Sequence, residues 1–172
     1  MMGAGKSAVG RSLARRLGTR FVDTDDEVAR RSGCSLGEIF GREGEAGFRE
    51  RERRVIDEVA GEAAVVSLGG GAISQPGAAA RLAAAGTVVY LRARPETLLA
   101  RLGDGAGRPL LAKLDANERE ARLGELAAER NAANETAAIV VDTDERSVDE
   151  VAERVAQRLA EMAVRVGDSG GA

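Results

Sequence analysis

Residues Gly3-Ala4-Gly5-Lys6-Ser7 constrain this chain more than any other stretch. They read as the back half of the phosphate-binding pattern G-x-x-x-x-G-K-[ST], a turn leading into a helix. Glycines let consecutive backbone N–H groups turn toward one anion, because a Cβ would block the approach. Lys6 adds a point charge for the outer phosphates, Ser7 offers a hydroxyl to Mg²⁺, and the helix contributes its positive N-terminal end. The competing reading of these five residues is a glycine turn that caps a helix. The first glycine of the pattern would lie five residues before Gly5, ahead of Met1, as would the strand that feeds such a loop. We therefore expect four parallel strands with a gap, or residues 1–2 stretched into the vacant place. In-frame upstream sequence is expected to encode β-branched or leucine residues and then a glycine.

Composition removes several functions. The chain has no histidine, which excludes a histidine general base, a Ser-His-Asp triad and histidine metal ligands. Its single cysteine, Cys34, excludes an internal disulfide and a cysteine zinc site, and suits a reducing cytoplasm. Three Phe, one Tyr and no Trp leave little to stack on single-stranded nucleic acid, and a net charge of −3 gives no basic field for one. No run approaches the roughly 18 apolar residues of a membrane span. With 172 residues and 44% hydrophobic content, the chain suits one domain with a real core.

Along the chain, apolar periodicity and stop signals alternate strands with helices. Val9, Leu13 and Leu17 make residues 7–17 an amphipathic helix that Gly18 can end. Strands are predicted at 20–22, 64–68, 87–91 and 138–141. Helices are predicted at 25–32, from 35, and over 44–60, 76–86, 95–102 and 117–131. Thr24-x-x-Glu27, Ser35-x-x-Glu38 and Ser147-x-x-Glu150 look like capping boxes, the last opening a C-terminal helix through Val151, Val155, Leu159 and Met162. Gly103, Gly105 and Gly107 mark 103–116 as a mobile lid, and 167–172 as a disordered tail. The order predicts an α/β fold, a parallel sheet with helices on both faces, in one domain over 1–166. Ligands of such sheets bind at the carboxyl ends of the strands, where Asp23, Asp25 and Gly69–Gly71 fall.

Asp23 and Asp25 stand two residues apart; continued strand geometry would point both to one side. One could help hold Mg²⁺ and the other meet a substrate hydroxyl, or the pair could be a turn and a helix cap. Arg49 and Glu52 share a helix face, where an ordinary surface ion pair is the competing reading. Arg108 could close over phosphates or simply be a solvated loop arginine.

Together the pieces resemble the shikimate kinase family. They are GAGKS at 3–7, DTD at 23–25, FRxxE at 48–52, SLGGGA at 67–72, RPLL at 108–111 and VDT at 141–143, in the family's order over roughly residues 1–160. The resemblance implies a P-loop kinase of nucleoside monophosphate kinase-like architecture, with its first central strand missing from this chain. It implies ATP-dependent phosphorylation of the 3-hydroxyl of shikimate in aromatic amino-acid biosynthesis, by a cytoplasmic monomer without nucleic-acid or membrane partners. Carried over by position, Gly3, Ala4, Gly5, Lys6, Ser7, Ala8, Arg101, Arg108 and Arg146 bind ATP. Ser7 and Asp23 hold Mg²⁺. Asp25, Arg49, Glu52, Gly70, Gly71 and Arg130 bind shikimate. Lys6, Asp25 and Arg108 act in the transfer. One departure is Arg130: the family follows that arginine with Pro-Leu-Tyr, whereas here Asn131-Ala132-Ala133-Asn134 follows. Two alternatives stay open. One is a kinase of another small polyol acid such as gluconate, and the other a truncated, non-catalytic nucleotide-binding module.

Overall fold

The architecture comes from a computed structural model, which describes residues 3–102 and 137–168 together with positions 115, 118, 121, 124 and 125. The expected lid over 103–116, apart from Asp115, lies outside the described residues, as do most of the 117–131 helix and residues 1–2.

Helix α1 spans Lys6–Leu17, buries Val9 and Leu13, and ends at Gly18 in the left-handed region (φ 63°). Strand β1 (Arg20–Asp23) runs straight into α2 (Thr24–Ser32). The Thr24–Glu27 box does not cap α2. Asp23 does, its carboxylate accepting from the Asp25 N–H at 3.1 Å. Thr24 is instead wholly buried, and its hydroxyl accepts from the Gly69 N–H at 2.9 Å. Strand geometry therefore stops at Asp23, and Asp25 belongs to the first turn of a helix.

Helix α3 spans Leu36–Val59 and opens with the predicted Ser35–Glu38 box. It breaks at Gly44 (φ 66°, ψ −171°), a conformation that favours glycine. The two segments expected from the sequence are its two halves. Across the break Phe40 stacks on Phe48 at 4.7 Å, and Arg51 forks onto Glu43 at 2.8 and 2.9 Å. The chain continues through β2 (Ala64–Ser67), α4 (Ala78–Ala85), β3 (Val89–Arg92), α5 (Pro95–Leu102), β4 (Ile139–Asp142) and α6 (Val148–Asp168). Helix α6 runs two residues into the stretch expected as a tail; 169–172 lie outside the described residues.

All described strands pair in parallel, as their alternation with helices predicts. Strand β1 pairs with β2 (Phe21 beside Val65, Asp23 beside Ser67), and β3 with β4 (Leu91 beside Val141, Arg92 beside Asp142). Strands β2 and β3 do not pair. Between them is an apolar slot of about 360 Å³, its walls including Val9, Leu13, Val65, Val89 and Leu91. Among the described residues no strand stands between β2 and β3; the other expectation, residues 1–2 stretched into that place, lies outside the described residues.

Hydrocarbon holds each side together. The larger cluster joins Val9 and Leu13 of α1 to Leu91, Leu98, Ile139, Val141, Val151 and Val155. The smaller is Val28, Ile39, Phe48 and Val55 of α2 and α3. Each such side chain contributes about 1.5–3 kcal/mol when fully buried. The polar residues of interest gather at the carboxyl ends of β1 and β2.

Candidate active site

The site begins at the entry to α1. Gly5 precedes the helix at φ 84° and no side chain caps it, so the first-turn N–H groups stay available to an anion. Ala4 is buried against the large cluster and anchors this turn, while Ala8 is exposed in the helix's first turn. Gly3 lies against α5: a Cβ there would come within 3.1 Å of the Leu98 carbonyl oxygen and of Leu102 Cγ. Lys6 lies on the wall of the slot, as do Gly69 and Gly70.

Ser7 donates its hydroxyl hydrogen to Asp23 Oδ2 at 2.6 Å, while Asp23 Oδ1 caps α2. A hydroxyl and a carboxylate side by side are hard oxygen donors of the kind Mg²⁺ accepts, alongside phosphate oxygens and waters. Residues 16 apart in sequence meet because α1 packs on β1 and β2.

Asp25 and Glu52 converge on Gly69. A Cβ at Gly69 would overlap Glu52 Oε1 and stand 2.8 Å from Asp25 Oδ1, so only glycine lets both carboxylates approach this backbone. Glu52 is 2% exposed, and its Oε1 has no hydrogen-bond partner among the described residues. Burial pushes its carboxyl above the usual glutamate range, with Asp25 adding to the rise against the opposing pull of Arg49.

Arg49 Nη1 donates to Glu52 Oε2 at 2.7 Å, and the Arg49 side chain is 16% exposed. This is not the exposed ion pair that i, i+3 spacing alone allows. Burial works against the guanidinium's charge, yet Glu52 and Glu45 outweigh it and hold the group above arginine's ordinary value. Gly71 lies flat against it; a Cβ would meet Nη2 and come within 3.0 Å of Cζ. Gly70 is half-buried between these two close approaches.

On the other side, Arg101 of α5 donates to the Thr143 hydroxyl at 2.9 Å and the Thr143 carbonyl at 2.6 Å. Arg146 donates to the Asp142 carbonyl at 2.8 Å. Both expected nucleotide-side arginines therefore meet the carboxyl end of β4. Arg108 and Arg130 lie outside the described residues.

Gly69, already expected at the ligand end of its strand, spaces the two carboxylates, and the structure adds two residues to the sequence-derived set: Thr24, which ties α2 to the glycine run, and Thr143, which holds Arg101. Their signal was position alone, a small or hydroxyl residue inside a motif whose other members carry charge.

Parallel strands that deliver their carboxyl ends to a glycine-opened, lysine-bearing helix are the layout of P-loop kinases, and that is the class in which fold and site place this enzyme. The comparisons narrow it. The family model described as shikimate kinase matches residues 2–160. A shikimate kinase of Halorhodospira halophila is 45% identical over 160 residues, covering 92% of this chain and 89% of that protein. Shikimate kinase 1 of Sodalis glossinidius is 43% identical, with coverage of 92% and 91%. Among solved structures, the Acinetobacter baumannii shikimate kinase in complex with shikimate superposes with TM-score 0.84 at 36% identity, covering 93% of this chain and 89% of that one. The Aquifex aeolicus enzyme gives 0.80 at 34% identity, covering 95% and 94%. The chain belongs to the shikimate kinase family.

Proposed function

We propose that this enzyme transfers the γ-phosphoryl group of ATP to the 3-hydroxyl of shikimate, giving shikimate 3-phosphate and ADP in aromatic amino-acid biosynthesis. The observation that carries the reading is the buried Arg49–Glu52 pair, set against the glycine run with Asp25 close by. A small carboxylate with several hydroxyls asks for an arginine at one end and a carboxylate at the other, and Arg49 and Asp25 are those groups here.

The reaction makes one O–P bond and breaks one. The acceptor oxygen attacks the γ-phosphorus, the β–γ bridging oxygen leaves with ADP, and the hydroxyl proton passes to Asp25. Arg49 holds the acceptor carboxylate, and Glu52 holds Arg49. Gly70 and Gly71 offer backbone N–H groups. Lys6 and the α1 N-terminus neutralise charge that develops on the phosphates, the main contribution a protein makes to phosphoryl transfer. Ser7 and Asp23 would hold Mg²⁺, which would supply further neutralisation of phosphate charge. Arg101 and Arg146 take the adenosine end, Arg108 closes from the lid, and Arg130 gives the acceptor carboxylate a second cation. In this reading the enzyme acts as a monomer in the cytoplasm, where ATP is available to it. Among the described residues no helix is long and apolar enough to cross a membrane.

Coupled ADP release with shikimate, with gluconate and with no acceptor tests the reading. Turnover should require shikimate. Turnover with gluconate instead, or ADP release that ignores the acceptor, would replace it.

A further inference from the structure

Arg49 uses its donors in two unlike ways. Nη1 is committed to Glu52 Oε2 at 2.7 Å, a buried acceptor that has nowhere else to go. The opposite edge, Nε and Nη2, is taken by Glu45 at 3.2 and 3.0 Å. Both of these bonds fall on one oxygen, Glu45 Oε1, so the fork of the guanidinium is not matched by a fork of oxygens. A carboxylate offering both oxygens to that edge makes the stronger, bidentate pair. Glu45 is also 68% exposed, so water competes for it throughout. The edge it covers lies against Gly71, on the side of the site where an acceptor would sit.

From this asymmetry we infer that Glu45 is a placeholder carboxylate. It occupies the exchangeable edge of Arg49 in the free enzyme and is displaced by the carboxylate of the acceptor, so it tunes acceptor affinity. The inference rests on the acceptor role proposed for Arg49. Glu45 directly follows the break at Gly44 and therefore stands in the first turn of the second half of α3. The displaced carboxylate stays near the positive end of that half-helix and needs no new partner. Glu52, by contrast, keeps Arg49 in place throughout, so the guanidinium does not have to be rebuilt when the ligand arrives.

The test is Glu45→Gln, assayed with shikimate and with its carboxamide. Losing the intramolecular competitor and its repulsion of an incoming carboxylate should lower KM for shikimate about two- to fivefold. kcat, KM for ATP and KM for the carboxamide should stay as they were. An unchanged or higher KM for shikimate overturns the inference, as does an equal fall for the carboxamide. Arg49→Ala, run beside it, separates the two levels. A normal shikimate KM there removes the acceptor-site reading itself; a large rise there with no change in Glu45→Gln removes only the placeholder. Should Glu45→Gln fail to fold, Glu45→Ala, which also removes the competing charge, carries the same expectation.

Discussion

The two halves of the molecule solve the same packing problem with different materials. The β3–β4 half, with α5 and α6, rests on a broad hydrocarbon cluster, and its ion pair at the strand ends, Arg92–Asp142, is exposed. The β1–β2 half, with α2 and α3, has a four-residue cluster and adds to it buried and half-buried polar contacts: Thr24 with Gly69, Glu52 with Arg49, Asp23 with Ser7. Where an enzyme must grip a small polar acceptor, hydrocarbon cannot do the gripping. The polar groups that replace it need close approach, and the glycines at 69 and 71 supply the room.

The largest effect should come from the lysine at the junction of the halves. Lys6→Ala should lower kcat by about a thousandfold, the scale for removing a group aimed at transition-state charge, while the melting temperature stays near that of the parent. Near-normal turnover would place the chemistry elsewhere.

Arg49→Ala should then divide the halves. Shikimate binding should weaken by about 2–5 kcal/mol, the usual scale for truncating one member of a buried charged pair, with ATP affinity unchanged by calorimetry. Equal loss for both ligands would mean that the acceptor half is not a separate unit.

Thr24→Val keeps shape and removes the acceptor for the Gly69 N–H. A cost of about 1–3 kcal/mol in chemical denaturation is expected, with KM for shikimate raised more than KM for ATP. Arg92→Ala on the opposite half should cost no more than about 1 kcal/mol and leave both KM values alone. If the two variants cost the same, the contrast between the halves is wrong.

The smallest effects concern acid. Arg30 and Arg31 lower the Glu27 carboxyl from 4.5 to about 2. A lowered carboxyl contributes stability that is present above its ordinary value and is lost as pH falls through the folded one, here between about 4.5 and 2. Glu52 has the opposite sign. Its raised carboxyl opposes folding while ionised, and that opposition fades as pH falls through its folded value toward 4.5. Glu27→Gln should flatten the acid limb of a stability–pH curve below 4.5. Glu52→Gln should change the curve only above 4.5.

Local signals carried the elements well. Periodicity and Gly18 fixed α1, and the Ser35 and Ser147 boxes formed because each closes within four residues. Thr24 and the Asp23–Asp25 pair were both legible as caps of α2, and Asp23 takes the role; the contact that removes Thr24 from it comes from Gly69, 45 positions away. The burial of Arg49 and Glu52 was likewise hidden, since i, i+3 spacing is the same on a wet face and a dry one. What dries that face is the glycine run after β2. The break in α3 follows from Gly44, but Gly41 and Gly47 offered the same freedom and did not take it. The slot was visible as a consequence of strand order around the phosphate loop, a property of the family pattern more than of any residue beside it.

That slot has a consequence for isotope exchange. In a parallel strand, successive N–H groups point to opposite neighbours. Those of β2 and β3 that face β1 and β4 are bonded within their sheets, whereas those facing the slot meet no described strand. Deuterium uptake along Ala64–Ser67 and Val89–Arg92 should therefore alternate residue by residue, slow then fast. A segment entering the slot and pairing with both edges would erase that alternation in the two strands at once.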